Sequence, residues 1–62
     1  MTTTLTKHYA GYDINIFYSP SYMDFRFLVK DKDGNNVLTS NRPYDTEDDA
    51  YIRACTRIND EL

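Results

Sequence analysis

Alternation of apolar and polar residues marks two strands in the first half of the chain. In the segment Tyr9–Tyr18 every second residue from Tyr12 onward is apolar, and the segment Tyr22–Lys30 repeats the alternation. Side chains of a strand point alternately to its two faces, so this pattern predicts two strands that each bury one side. The turn composition of residues 19–21, Ser-Pro-Ser, predicts that the chain reverses between them.

A hairpin leading to a third strand is the strongest local signal. The segment Asp31–Asn36 is dense in Asp, Asn and Gly, which tolerate positive φ, and it contains the turn dipeptide Asp33-Gly34. A short strand over Val37–Ser40 follows. Because proline cannot donate a backbone hydrogen bond to a neighbouring strand, Pro43 ends the sheet.

The last third of the chain has the pattern of a capped amphipathic helix. The Thr46 hydroxyl can accept a hydrogen bond from the Asp49 amide, and Glu47, Asp48 and Asp49 lie near the positive end of the helix dipole. Apolar residues then recur at spacings of three and four, which predicts one buried stripe. The stripe consists of Tyr51, Ala54, Cys55, Ile58 and Leu62.

The order of these elements predicts an α+β fold, in which a three-stranded antiparallel sheet (β-β-β-α order) carries one C-terminal helix on one face. We expect a single small domain over residues 7–62, preceded by a disordered or frayed terminus over residues 1–6. The predicted core lies between the sheet and the helix. It combines Ile14, Ile16, Phe25, Phe27, Val29 and one of Val37 or Leu38 with Tyr51, Ala54, Cys55 and Ile58.

The face of the predicted sheet that lies opposite the helix carries more apolar residues than a solvent-exposed face normally does. Phe17 and Leu28 point to it, with Tyr9 and Val37 nearby. An exposed apolar cluster on a small sheet is typical of a contact surface. Since two-fold homo-oligomers are the commonest assemblies and a lone sheet leaves edges to be paired, we expect a homodimer formed through the sheet.

A set of residues spread over the hairpin and the helix carries a resemblance to a known family. These residues are Phe25, Arg26, Phe27, Asp33, Gly34, Val37, Ser40, Tyr44, Thr46, Ala50 and Ile58. Through them, residues Ile16–Ile58 resemble the YegP-like family of short bacterial modules. The resemblance implies the same order of strands and helix, but no biochemical activity is established for that family, whose members often occur as tandem copies. This chain differs in having a single copy, a longer N-terminal strand region, and Asp33 before the turn glycine.

Composition excludes several classes of protein. The chain has 62 residues, of which 40% are hydrophobic, enough for one small core. One Cys and one His permit neither an internal disulfide nor a structural zinc site. No apolar run approaches the length of a signal peptide core or a membrane span, so we expect a soluble, cytoplasmic protein. The resemblance to the YegP-like modules implies a bacterial or phage-like origin.

Charge is distributed unevenly along the chain. The net charge is −3, with five basic and four acidic residues in residues 1–43 (+1) and two basic and six acidic residues in residues 44–62 (−4). Nucleic-acid binding rests on clustered Lys and Arg, so the negative total makes a nucleic-acid partner an unfavoured alternative. The acidic helix could act instead as a decoy that inhibits a nucleic-acid-binding protein.

The sequence offers no convincing catalytic or cofactor site. Asp31–Asn35 begins like a calcium loop, but Asn36 and Arg42 stand where that loop needs Gly and a bidentate Glu. Cys55 and His8 could pair as nucleophile and base, yet Cys55 lies on the predicted buried stripe. We therefore expect no enzyme activity, no cofactor, no metal and no small-molecule substrate.

These observations predict a small protein-interaction module that associates with itself or with another protein. A three-stranded sheet that binds nucleic acid, and the acidic decoy, are the alternatives. The candidate interaction surface has two parts, one on the outer sheet face and one at the start of the helix. It comprises Phe17, Arg26, Leu28, Lys30, Asp45, Glu47, Asp48 and Asp49.

Overall fold

Four strands and one helix follow one another along the chain in a computed structural model, which describes residues 2–62. The strands pair with their neighbours in chain order, each antiparallel to the next. The helix packs on one face of the sheet, chiefly against its second and third strands. An α+β fold with an antiparallel sheet and a C-terminal helix is therefore confirmed. The elements are β1 (Thr2–Tyr9), β2 (Tyr12–Ser19), β3 (Asp24–Lys30), β4 (Asn36–Thr39) and α1 (Glu47–Glu61).

The prediction of three strands is wrong, because the N-terminal residues form a fourth. β1 pairs along the whole of β2, from Thr2 opposite Tyr18 to Tyr9 opposite Tyr12. Residues 2–6, for which the sequence predicts a frayed terminus, belong to this strand, and residue 1 lies outside the described residues. Only Leu5 and Tyr9 of β1 are half-buried. Because the strand has no continuous apolar face, its alternation is too weak to read from the sequence.

A two-residue turn joins β1 to β2. Ala10 and Gly11 both have positive φ, of 52° and 85°. Two successive residues of this kind form a type I′ turn, whose twist matches that of a hairpin. The reversal places Tyr9 on the same face as α1, where its Oη accepts a hydrogen bond from Asn59 Nδ2 at 2.9 Å. The expectation that Tyr9 lies near the outer face is wrong. The two-residue turn places Tyr9 directly opposite Tyr12, so its side chain lies on the same face as that of Tyr12.

The hairpin built on Asp33-Gly34 is confirmed. Gly34 has a φ of 86°, and its backbone N–H donates to the Asp31 carbonyl at 3.0 Å. The Asp31 carboxylate accepts from the backbone N–H groups of Asn35 and Asp33, each at 2.9 Å. These hydrogen bonds, that of Asn35 foremost, stabilise the ionised form and lower the pKa of Asp31. The carboxylate thus holds its own turn together.

The start of α1 is also confirmed. Thr46 is the N-cap, and its Oγ1 accepts from the backbone N–H of Asp49 at 3.1 Å. Near the other end, Arg57 donates to both carboxylate oxygens of Glu61 and to the backbone carbonyl of Thr39. The bond to Glu61 raises the pKa of Arg57 and lowers that of Glu61. Arg57 therefore ties the helix to the end of β4.

The core lies between the helix and the sheet, as the sequence predicts, but its membership differs in detail. Phe25, Tyr51 and Cys55 are only half-buried, and Leu62 is exposed because α1 ends before it. Val37 and Leu38 both pack against the core, next to a β-bulge in the β3–β4 pairing. The buried apolar residues are Ile14, Ile16, Phe27, Val29, Tyr44, Ala50, Ala54 and Ile58.

Backbone pairing with β3 places the side chain of Tyr44 in the core. It pairs with Phe25 in an isolated bridge, with two N–H···O bonds of 2.8 Å. Its ring stacks on Phe27, with the two centroids 6.1 Å apart. The bridge extends the sheet past β4 and carries the chain into α1.

Candidate functional site

The outer face of the sheet, opposite α1, holds the first part of the predicted interaction surface. Phe17 lies opposite Arg26, and Leu28 lies on the next rung, opposite Asn15 and Thr39. Phe17 and Leu28 are therefore diagonal neighbours. Both are half-buried. No element of residues 2–62 packs across this face.

The fourth strand makes the outer face more polar than a three-stranded sheet would be. β1 places three polar residues next to β2: Thr3 opposite Phe17, Thr6 opposite Asn15, and His8 opposite Asp13. The Thr6 hydroxyl contacts the Asn15 side chain at 3.1 Å, and the His8 ring contacts the Asp13 carboxylate. The apolar part of the face is thereby reduced to Phe17 and Leu28.

The positive charges of this face are balanced by acids. Arg26 Nε donates to Asp24 Oδ1 at 3.3 Å, and Lys30 lies directly opposite Asp13. A surface that binds phosphate backbones needs uncompensated cations in a row. The balanced charges of this face lend no support to the nucleic-acid alternative.

The two edges of the sheet differ in how far they are protected. β4 has four residues, and the chain beyond it stays against β3 through the bridge between Phe25 and Tyr44. β1 has eight residues without proline, and its protective features are an irregularity between Thr3 and Leu5 and the charge of Lys7. The longer and more accessible edge is β1.

Alternate residues of β1 direct their backbone groups away from β2, toward the open edge of the sheet. In a hairpin with a two-residue turn, the residues that flank the turn form a hydrogen-bonded pair, and the pairs alternate from there. Tyr9 and Lys7 therefore bond to β2, whereas the N–H and C=O groups of His8 and Thr6 face outward. Both of these residues have exposed side chains.

The second part of the predicted surface surrounds the start of α1. Asp45, Asp48 and Asp49 are exposed, and Glu47 is half-buried. Asp45 and Asp49 line a groove of about 510 Å³ between residues 42–45 and the helix. The same groove contains two arginines and the exposed Ile52, so the acidic patch is not uniform. The lining residues are Arg42, Pro43, Tyr44, Asp45, Asp49, Ile52, Arg53 and Thr56.

A smaller cavity lies on the sheet side of the same segment. It has a volume of about 190 Å³, and Arg42 and Pro43 line both this cavity and the larger groove. The sequence does not predict this cavity. The run of polar residues before Pro43 could have indicated one wall of this cavity. The other wall is Arg26 of β3, and only the fold brings it there. The lining residues are Arg26, Ser40, Asn41, Arg42 and Pro43.

The structure separates Cys55 from His8. Cys55 lies on the helix against the core, where a hydrogen bond with Tyr51 raises the pKa of that tyrosine. His8 lies on the outer face beside Asp13. The sheet stands between them, so they do not form a nucleophile and base pair.

Residues 2–62 contain neither a metal cluster nor a helix that could span a membrane. No three His, Cys, Asp or Glu side chains of this part are placed to hold a metal ion. Its helix is not long and apolar enough to cross a bilayer.

Comparisons with known proteins add no family. No family model matches the chain, and no curated protein or solved structure is significantly similar to it. The YegP-like resemblance stays a prediction.

Proposed function

We propose that this chain is a protein-interaction module that associates with a second copy of itself along the β1 edge of its sheet. The proposal rests on one observation: β1 is an eight-residue edge strand with six exposed side chains. An edge of this length with so little protection is a template for strand addition, in which backbone hydrogen bonds supply affinity.

This edge favours a dimer whose two-fold axis lies between the two copies of β1, perpendicular to the sheet. Two copies of β1 would run antiparallel and join two four-stranded sheets into one of eight strands. The outward backbone groups of Thr6 and His8 would bond to the partner strand, and both helices would lie on the same side. Such an interface is closed, because each copy presents the same surface to the other.

The small surface of the chain limits the expected affinity of the dimer. A stable interface of standard size buries roughly 800 Å² on each partner. That area is about a fifth of the 4095 Å² surface of this chain. A single strand edge covers less than this, so we expect the dimer to dissociate on dilution.

Light scattering during size exclusion over a range of micromolar concentrations tests the proposal. We expect a dimer mass that falls toward the monomer on dilution. Thr6→Pro removes an outward N–H group and should give a monomer, while Thr6→Val keeps that group and should remain dimeric. Circular dichroism of both variants checks that the sheet is retained.

Two results would contradict the proposal. One is a monomer mass for the unmodified chain at every concentration. The other is a folded Thr6→Pro variant that dimerises as well as the unmodified chain, since the contact would then lie away from the β1 edge. Loss of the dimer on Phe17→Asp substitution, with Thr6→Pro unaffected, would move the contact to the outer sheet face.

A further inference from the structure

The His8 ring, at the open edge of the sheet, has the surroundings of a metal ligand. Its Nδ1 contacts the carboxylate of Asp13, which lies directly opposite it on β2. An ionised carboxylate can only accept, so in the neutral ring Nδ1 carries the proton and the free lone pair is on Nε2. Metal-binding histidines are commonly held in this way, with the other ring nitrogen donating to a carboxylate.

We propose that two copies of the chain, paired along β1, bind one zinc ion between their two His8 rings. The inference rests on the proposed self-association, because one chain contains a single His. Within residues 2–62 of one copy, no three His, Cys, Asp or Glu side chains are placed to hold a metal. The second copy supplies the missing nitrogen ligand, and the bound ion strengthens the dimer.

The edge itself selects a register that brings the two rings together. The irregularity between Thr3 and Leu5 leaves Leu5–Tyr9 as the regular part of β1. Two antiparallel segments of this kind overlap fully when Thr6 of each copy lies opposite His8 of the other. The outward backbone groups of both residues are then all paired. The two His8 residues become diagonal neighbours on the outer face, about 7–8 Å apart.

This spacing suits a shared ion. Zinc binds imidazole nitrogens at about 2.0–2.1 Å, so two nitrogens of a tetrahedral site lie roughly 3.3 Å apart. Aromatic side chains can reach one another from diagonal positions of a sheet, and two His8 rings can therefore close on one ion. The His8 side chain is 82% exposed, so water can fill the remaining positions of the metal.

The cost of this register lies on the helix side of the sheet. Lys7 is at the centre of Leu5–Tyr9, so the two Lys7 residues lie opposite each other, and like charges in such a pair are destabilising. The Lys7 ammonium lies over the Tyr51 ring of its own helix, 5.9 Å from the centroid, which draws it back from the axis. The ion on the outer face offsets the repulsion that remains, which makes the strength of the dimer depend on metal.

The dimer dissociation constant, measured by sedimentation equilibrium on the chain without a histidine tag, tests the site. Zinc at ten times the concentration that half-saturates the dimer should lower this constant about tenfold by mass action. Magnesium at the same concentration should not, because it prefers oxygen ligands. Titration calorimetry should give one zinc for two chains. In long-range ¹H–¹⁵N spectra of the His8 ring, zinc should shift Nε2 more than Nδ1.

Three variants separate the ligand from its surroundings. Each is compared with itself, with and without zinc, so an effect of the substitution on the dimer alone cancels. His8→Gln should abolish the zinc response. Asp13→Ala should weaken zinc binding about tenfold or more through loss of the carboxylate that orients the ring, and Asp13→Asn, which can still accept from Nδ1, should weaken it less. Asp60→Ala is the matched control, because it removes an exposed carboxylate of α1.

The outcomes distinguish this site from the proposed function. A dimer that forms without zinc and does not respond to it would overturn the metal site and leave the strand pairing intact. A chain that is monomeric without zinc contradicts the proposed function, whereas its dimerisation on zinc, lost in His8→Gln, would still support the site. An equal response to magnesium, a response retained by folded His8→Gln, or one zinc for each chain would overturn the shared site.

Discussion

The turn between β1 and β2 provides a direct test of the four-stranded sheet. Ala10 has a φ of 52°, in the left-handed region that L-residues other than Gly, Asn and Asp rarely adopt. Such a conformation costs an alanine about 1–2 kcal/mol relative to glycine. We therefore predict that Ala10→Gly stabilises the protein.

The magnitude follows from two opposing effects. Relief of the strain contributes the full 1–2 kcal/mol or so, and the greater freedom of glycine in the unfolded chain offsets about 0.5–1 kcal/mol of it. The net gain is about 0.5–1 kcal/mol. For a domain of this size each kcal/mol raises Tm by roughly 4–8 °C, so Tm should rise by about 2–8 °C.

Thermal and urea unfolding, both at one fixed protein concentration, measure this change. Gly11→Ala is the matched control, because Gly11 has a φ of 85° and no atom within 4 Å of an added Cβ. It should destabilise by about 1 kcal/mol through backbone strain alone. If neither substitution moves Tm, residues 2–11 do not unfold with the rest of the sheet, and the reasoning from the β1–β2 pairing fails.

Three further predictions concern single side chains. Tyr44→Phe should raise the free energy of unfolding by about 1 kcal/mol in urea titrations, because the buried Tyr44 Oη has no hydrogen-bond partner within residues 2–62. Thr46→Ala should lower it by about 1 kcal/mol through loss of the N-cap, whereas Thr46→Ser should not. The lowered pKa of Asp31 predicts a stabilisation that is complete above its ordinary value of 3.8 and is lost as the pH falls through the lower folded value. Asp31→Asn should flatten this part of the profile of stability against pH.

Features that depend on neighbouring residues in the chain could be predicted from the sequence. The Asp33-Gly34 hairpin and the Thr46 cap are formed by groups within a few residues of one another. The alternation of β2 and β3 reflects a face that α1 buries.

The candidate surfaces were only partly predictable. The positions of Phe17 and Leu28 on the face opposite α1 follow from the period of a strand. Their polar surroundings do not, since these come from β1 and from the register that the Ala10-Gly11 turn imposes. The predicted acidic patch likewise shares its groove with arginines, which only the fold brings beside it.

The sequence by itself determined the type of the fold, three of its strands, the helix and most of the core, because hydrophobic period, turn residues and caps act over short distances. The tertiary structure decided the place of β1, since a polar edge strand is held by backbone hydrogen bonds that leave little trace in side-chain pattern. It also decided that His8 contacts Asp13, because the two-residue turn sets the register in which these residues lie opposite each other.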